Sequence, residues 1–253
     1  MIKILITGKD SYIGTSFEKY ISRNFSDRYT VDTVDMIDRG WREKDFSAYD
    51  TVFHVSGIAH IKETKENAEL YYKVNRDLAI ETALKAKNAG VSQFVFLSTM
   101  SVYGMETGVI TKETAPCPKS NYGKSKLQAE ERILSLADDN FKVCVIRPPM
   151  VYGEDCKGNY QSIVKIVEKF PVFPRVNNKR SLICIENLVS FIKMTIDDNL
   201  SGVFLPQNSE YMNTMEMAKD IALQKGKKIY FSYLLGFAVV VFRPFVSILK
   251  KAF

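Results

Sequence analysis

"IKILITGKDSYIG", Ile2 to Gly14, is an apolar run of strand character that breaks at Thr7-Gly8 and resumes as the first turn of a helix. A strand that ends in a tight glycine turn and feeds a helix aims backbone N–H groups and the positive end of a helix dipole at one point, where a pyrophosphate can sit. Gly8 makes the turn, and Gly14 lets the helix pack closely on the strand. Between them Ser11 stands where a dinucleotide fingerprint prefers glycine. If that position needs positive φ, serine costs about 1 kcal/mol. If it needs only closeness, the hydroxyl can itself meet a phosphate. Two glycines in such a turn also serve as plain punctuation, so the rest of the chain has to decide.

Further β-branched and aromatic runs follow: "YTVDTV", "DTVFHVS", "QFVFLS" and "KVCVIR". They alternate with segments of helical period, notably Ala68 to Lys87 and Lys124 to Leu136. That alternation predicts βαβ units, an α/β fold with a doubly wound parallel sheet covered on both faces. After Val151 the rhythm loosens, with Pro171, Pro174 and a polar "NNKR", and a smaller irregular lobe is expected there. The expected division is a nucleotide-binding domain over 1–150 with a return segment at about 181–200, and a lobe made of 151–180 and 201–253.

At 253 residues, 46% hydrophobic and 25% charged, the chain can bury a sizeable core, which excludes disorder. The net charge of +6 comes from lysines scattered among acids, so no basic arm points to nucleic acid. Cys117, Cys144, Cys156 and Cys184 form no CxxC pair and only His54 and His60 could join them, so no metal is expected and packed, reduced thiols are. The short apolar start "MIKILITG" does not read as a signal peptide, and a reducing cytoplasm is the expected compartment.

About twenty to thirty residues after a phosphate-binding turn, the second strand should end in an acid for a ribose 2'-OH or a base for a 2'-phosphate. Asp35, closing "YTVDTVD", is that acid and favours NAD; Arg39 nearby keeps NADP open as the alternative.

"SNYGKSKLQAEE", Ser120 to Glu131, places Tyr122 and Lys126 four residues apart at the head of a helix, hence on one face. A phenol with a pKa near 10 becomes a useful acid/base only when brought down by roughly two to three units, or about 3 to 4 kcal/mol. An ammonium about 4 Å away supplies about 1 kcal/mol in bulk water and about 4 in a partly enclosed site. The expectation is therefore a phenol loosened by its lysine at the carboxyl edge of the sheet. "STMSVYG", Ser98 to Gly104, brings Thr99 to the same edge, where its hydroxyl can hold a substrate oxygen while Tyr122 moves the proton.

Taken together these motifs resemble the extended short-chain dehydrogenase/reductase family, in its nucleotide-sugar epimerase/dehydratase branch, over Met1 to about Leu200. The resemblance implies a Rossmann-type domain binding NAD or NADP through Gly8, Ser11, Tyr12, Ile13 and Gly14, with Ser11 the departure. "KDFSAYD" resembles the family's acid-plus-apolar adenine contact, here Asp45 and Phe46. "VFHVSG" resembles the run lining the cofactor, with His54, Val55, Ser56 and Gly57, and Asn75 resembles the asparagine that braces the site. Thr99, Tyr122 and Lys126 match the catalytic hydroxyl and YxxxK pair, Ser98 is the reserve hydroxyl on the cofactor side, and Pro148 and Pro149 flank the nicotinamide. Arg180 and Asn159 resemble the substrate's diphosphate clamp and a substrate-loop residue. "RPPMVYGEDCKGNY" together with "KRSLICIENL" resembles bacterial enzymes acting on UDP-linked sugars, which implies hydride transfer at C4 by a 4-epimerase or a 4-keto-6-deoxy-sugar reductase of surface polysaccharide synthesis; Met100 and Ser101 stand where the dehydratases carry an acid pair. A cofactor-bound scaffold without turnover is the alternative.

Family members usually continue further, so a shortened substrate lobe is expected. The apolar stretch from Tyr230 to Phe253 is broken by Arg243 and Pro244 before it could span a bilayer. It is expected to pack in the core or a homodimer, with a membrane-surface segment ending at Lys250 and Lys251 as the alternative.

Overall fold

The computed structural model describes residues 1–242 apart from Arg39, His60, Lys62 and Lys157, together with the backbone of Asn159. The chain runs β1 (Ile2–Thr7), α1 (Tyr12–Asn24), β2 (Tyr29–Val34), β3 (Thr51–His54), α2 (Ala68–Tyr71), a π-helical segment Tyr72–Asp77, α3 (Leu78–Asn88), β4 (Gln93–Leu97), α4 (Asn121–Leu134) and β5 (Lys142–Ile146). It continues through β6 (Met150–Tyr152), α5 (Asn159–Lys169), β7 (Val172–Pro174), β8 (Leu182–Cys184), α6 (Ile185–Asp197), β9 (Gly202–Phe204), α7 (Thr214–Gln224), β10 (Tyr230–Ser232) and α8 (Tyr233–Phe242). Two compact units result, Met1–Pro149 with Ile185–Pro206, and Met150–Cys184 with Gln207–Phe253.

The first unit carries a six-stranded sheet in the order β2-β1-β3-β4-β5-β9, with every pairing parallel. The β-branched runs of the sequence are its strands, and their near-continuous apolar character reflects burial on both faces. On one face Val52, Phe94, Phe96, Val143 and Val145 meet Ala79, Ala83 and Ala86 of α3 and Ala129 and Ile133 of α4; the alanines let the helices lie close to the strands. Phe53, the neighbour of Val52, points the other way and meets Phe17 of α1 edge-on at 5.3 Å, as period-two alternation requires. On that face α1 packs beside α6. The chain leaves β1 for β2 on one side and returns to β3 on the other, so the order reverses at β1, and the carboxyl ends there form the crevice in which such sheets bind ligands.

The second unit has two small parallel ladders, β6 with β8 and β7 with β10, and a core of Ile163, Val167, Phe173, Leu182, Met217, Ile221 and Val239. α7 is started by a capping box in which Asn213 and Glu216 exchange side-chain and backbone bonds. α8 turns only Gly236 and Val239 inward, Gly236 because a Cβ there would meet the Arg175 carbonyl at 2.1 Å. Most of its apolar side chains, including Leu234 at 77% and Phe237 at 69% exposure, are left exposed by the described residues. The rest of the Tyr230 to Phe253 stretch, from Arg243 through Pro244 to Lys250 and Lys251, lies outside the described residues. Among the described residues no helix is long and apolar enough to cross a membrane. Cys144 and Cys156 are buried, whereas Cys117 is exposed and departs from the expected packed thiol.

Candidate active site

The glycine turn sits where β1 ends. Gly8 adopts φ +123°, and a Cβ there would come within 2.9 Å of the Ser56 backbone nitrogen, so both conformation and space call for glycine. Its N–H donates to Val34 O at 3.0 Å. Ser11 has φ −70° and ψ 140°, and as N-cap of α1 it accepts the Gly14 N–H on its hydroxyl at 3.2 Å. Serine is therefore unstrained at this position; the left-handed residue is Asp10 at φ 61°, a residue type that tolerates it. Gly14 is confined by Ser11 Oγ, Ile6 and Val55, which a Cβ would meet at 2.5 to 3.1 Å. Tyr12 and Ile13 open the helix beside this turn.

Asp35 follows β2 directly, and its Oδ1 accepts the Ile37 N–H at 2.9 Å in an Asx turn; Arg39 lies outside the described residues. Of the two expected adenine contacts, Phe46 is 1% exposed and packed in the core cluster with Trp41 and Val52. Asp45 is exposed, with its carboxylate turned back onto Ser47 N and Oγ at 2.8 and 2.7 Å. His54 is wholly buried between the Phe94 and Phe96 rings, with Nδ1 2.7 Å from Thr7 Oγ1. Burial, aided by the charge on Lys126, pushes its pKa down to about 3, so it is neutral and walls nothing off from solvent. Its neighbours Val55 and Ser56 run along the glycine turn, their N–H groups both reaching Thr7 O at 3.1 and 3.0 Å.

Asn75 is buried inside the π-helical segment, an irregularity that recurs at functional sites. Its amide clamps Ile58, accepting from N at 2.8 Å and donating to O at 3.0 Å, and reaches Ser125 of α4 at 3.4 Å. Between the two, Gly57 passes so close that a Cβ would lie 2.8 Å from Asn75 Oδ1 and 3.3 Å from Lys126 Nζ. Residues 55–57 thus connect the glycine turn to the lysine.

Thr99 caps a short 3-10 turn, Met100–Tyr103, its Oγ1 accepting the Ser101 N–H at 3.1 Å. The same hydroxyl lies beside Tyr122 and acts to lower its pKa. Ser98, the reserve hydroxyl, points inward instead and donates to Glu130. Ser120 caps α4, bringing Tyr122 and Lys126 onto one face, and Gly123 between them lies where a Cβ would meet the Ser101 carbonyl at 2.6 Å, so α4 lies directly on the Thr99 turn. Pro148 is buried, and its carbonyl accepts the Met100 N–H at 3.1 Å, joining the loop after β5 to the same turn.

The electrostatics differ from expectation. Lys126 Nζ donates to Leu97 O at 2.9 Å and lies 4.6 Å from the Phe96 ring centroid. Burial holds its pKa at about 8, although Glu130 one turn on opposes the fall. Tyr122 is raised above an ordinary phenol by burial; the Thr99 hydroxyl works against this, and nearby Tyr71 adds to it. Sequence reasoning also missed Gly123, Glu130, Arg147 and Tyr103; the only trace of Glu130 was its place four residues after Lys126. Arg180 pairs its backbone with Met212 at 2.9 and 3.0 Å in the second unit, and Asn159 opens α5 there with its side chain outside the described residues.

A helix opening on a glycine turn at the switch of a parallel sheet fits a dinucleotide by the chemistry of its donors, and a Thr-Tyr-Lys set at the next strand ends defines a nicotinamide-dependent enzyme class. The chain belongs to the NAD dependent epimerase/dehydratase family, whose model matches residues 4–203. It is 31% identical over 249 residues to the UDP-glucose 4-epimerase of Vibrio cholerae, covering 88% of this chain and 76% of that protein. It is 25% identical over 254 residues to the N-acetyl-alpha-D-glucosaminyl-diphospho-ditrans,octacis-undecaprenol 4-epimerase of Escherichia coli O157:H7, covering 92% of this chain and 76% of the relative. The fold matches that of UDP-glucuronic acid 4-epimerase from Bacillus cereus in complex with NAD, with a TM-score of 0.75 at 19% identity over 91% of this chain and 87% of that one.

Proposed function

We propose that the chain is a 4-epimerase of a diphosphate-linked sugar that serves surface polysaccharide synthesis in a reducing cytoplasm. The observation that carries the reading is that Thr99, Tyr122 and Lys126 meet at the carboxyl end of β4, with the buried Lys126 donating to Leu97 O and adjoining the loop from the glycine turn. The sugar-4-epimerase activity of the V. cholerae and E. coli relatives supports it.

In this reading Gly8, Ser11, Tyr12, Ile13 and Gly14 hold the pyrophosphate of NAD, Asp35 takes a ribose hydroxyl, and Val55, Ser56 and Pro148 line the way to the nicotinamide. Bound NAD supplies the hydride acceptor and donor at the sugar's C4. Thr99 holds the C4 oxygen by hydrogen bond; Tyr122 takes the proton from that oxygen as the tyrosinate on oxidation and returns it as the phenol on reduction. The phenol, raised by burial, is well suited to the returning step. Lys126, still an ammonium at neutral pH with a pKa of about 8, places positive charge under the developing alkoxide. Asn75 fixes the loop between them.

Incubation with UDP-glucose, UDP-GlcNAc and a 4-keto-6-deoxy UDP-sugar, each with NAD(H) and NADP(H), tests this. Interconversion of C4 epimers without net change in absorbance is expected. Net consumption of reduced cofactor with the keto sugar alone would instead make the chain a reductase, and tight cofactor binding with no turnover on any sugar would make it a silent scaffold.

One observation favours a lipid-linked sugar as second reading. The outward face of α8 carries Tyr233, Leu234, Phe237 and Val240, all more than half exposed, with the Arg175 guanidinium 4.3 Å from the Tyr233 ring centroid. From Ile221 to Phe253 the sequence has no acid and six basic residues, which suits an anionic bilayer surface. Sedimentation with phosphatidylglycerol vesicles tests it: binding that is lost in Leu234→Glu supports it, and a concentration-dependent dimer that ignores vesicles assigns the face to a second copy.

A further inference from the structure

Beneath the catalytic edge lies a cluster of polar groups that the mechanism above does not use. Glu130 of α4 is fully buried, and its carboxylate accepts from Ser98 Oγ and from Arg147 through Nε at 3.0 Å and Nη2 at 2.5 Å. Arg147, 8% exposed at the end of β5, donates from Nη1 to Tyr103 OH at 2.7 Å and stacks 5.1 Å from that ring's centroid. The four partners belong to three pieces of the site. Ser98 precedes Thr99, Tyr103 closes the turn that Thr99 opens, Arg147 precedes Pro148, and Glu130 stands one helical turn after Lys126.

Resting on the reading of Tyr122 and Lys126 as the reacting pair, we propose that Glu130 is a positioning residue. Its buried carboxylate ties the Thr99 turn and the Pro148 loop to α4 and supplies the negative charge that Lys126 faces. Two features of the packing make this more than a structural staple. A buried ion pair by itself is a poor source of stability, because desolvation offsets most of the attraction. This pair instead joins α4, which carries Tyr122 and Lys126, to the Thr99 turn and the Pro148 loop, and among the described residues its acidic member is the anion that acts on the lysine. The groups around Lys126 can be named from every side. α4 contributes Glu130 and Tyr122, β3 the neutral His54, and β4 only the Leu97 carbonyl and the Phe96 ring. The π-helical segment contributes the uncharged Asn75 across Gly57, and β5 contributes Arg147, already paired with Glu130. Without the Glu130 charge, burial acts on the ammonium unopposed.

The test reads the lysine directly, by NMR titration of lysine Cε labelled with carbon-13 in the full chain, with the Lys126 signal assigned by its loss in Lys126→Met. The expected midpoint is about 8 in the parent protein. In Glu130→Gln it should fall by at least about half a unit, as loss of a neighbouring charge requires. Glu130→Asp should keep it near the parent value. Where Glu130→Gln fails to fold with Arg147 left unpaired, the double variant Glu130→Gln, Arg147→Met removes both charges, and the same fall is expected. The basic limb of kcat moves to lower pH with the midpoint, with little change in KM. A midpoint unchanged in both variants, with only thermal stability reduced, would reduce Glu130 to a structural role and overturn the proposal. Absence of turnover in the parent protein would count against the C4 reading alone, since the titration does not depend on it.

Discussion

Lys126 donates to the carbonyl of Leu97 at 2.9 Å, while Tyr122, one turn earlier on the same helix, lies beside the Thr99 hydroxyl, which works against the rise in its pKa. The two side chains that spacing assigns to one task thus both meet the carboxyl end of β4, at residues two apart. Tyr122→Phe removes the proton-transfer group and leaves the glycine turn untouched. It should lower kcat by about 10² to 10⁴-fold, with NAD affinity kept within about threefold. Steady-state assays with UDP-glucose and calorimetric titration of NAD check both halves.

Burial of Lys126 also has a stability consequence. Its pKa falls from 10.5 unfolded to about 8 folded, so between these values the unfolded chain binds the additional proton and stability rises with pH. Below about pH 8 both states are protonated and the full cost of burying the ammonium is present, on the order of 3 kcal/mol. Lys126→Met should therefore unfold at higher urea concentration than the parent at pH 7, by the equivalent of about 1 to 3 kcal/mol. The gain should shrink by pH 10, and turnover should be lost at both.

His54 acts at the acid end with the corresponding sign. Its pKa is depressed from 6.5 to about 3, so the unfolded chain binds the extra proton between these values, and stability should fall as pH drops through this range. His54→Phe should flatten the slope of unfolding free energy against pH between 6.5 and 3, whatever its effect at neutral pH. An unaltered slope would assign the acid sensitivity to other groups.

Gly123→Ala places a methyl 2.6 Å from the Ser101 carbonyl, a contact only backbone movement can relieve. The expected shift of α4 off the Thr99 turn should cost about 1 to 3 kcal/mol in stability. It should also cost at least about tenfold in kcat, because small misplacements weigh heavily on reacting groups. Differential scanning calorimetry and turnover at saturating sugar separate the two.

Ser11→Gly supplies the residue that the glycine-rich fingerprint prefers. Since Ser11 holds an extended backbone at φ −70° and caps α1, there is no strain to relieve. The variant should lose a few tenths of a kcal/mol, and Ser11→Ala about 1. A clear stabilisation by glycine would show that the capping account is wrong.

Much of this molecule is set by short-range pattern. Period-two runs such as "IKILIT" and "TVFH" specify strands, a glycine turn starts α1, and a four-residue spacing puts Tyr122 and Lys126 on one face, because these depend only on local backbone geometry. Packing between distant segments decided the rest. Phe46 and His54 read as cofactor contacts, yet the closing of helices over the sheet buries both, and burial cannot be read from either residue's neighbours in the chain. Glu130 and Arg147 look like surface charges on a helix and after a strand until α4 lies against β5 and leaves each as the other's partner. The protonation of the lysine likewise follows from a carbonyl, a ring and a carboxylate that only the folded chain assembles, since a pKa is a property of surroundings and not of residue type.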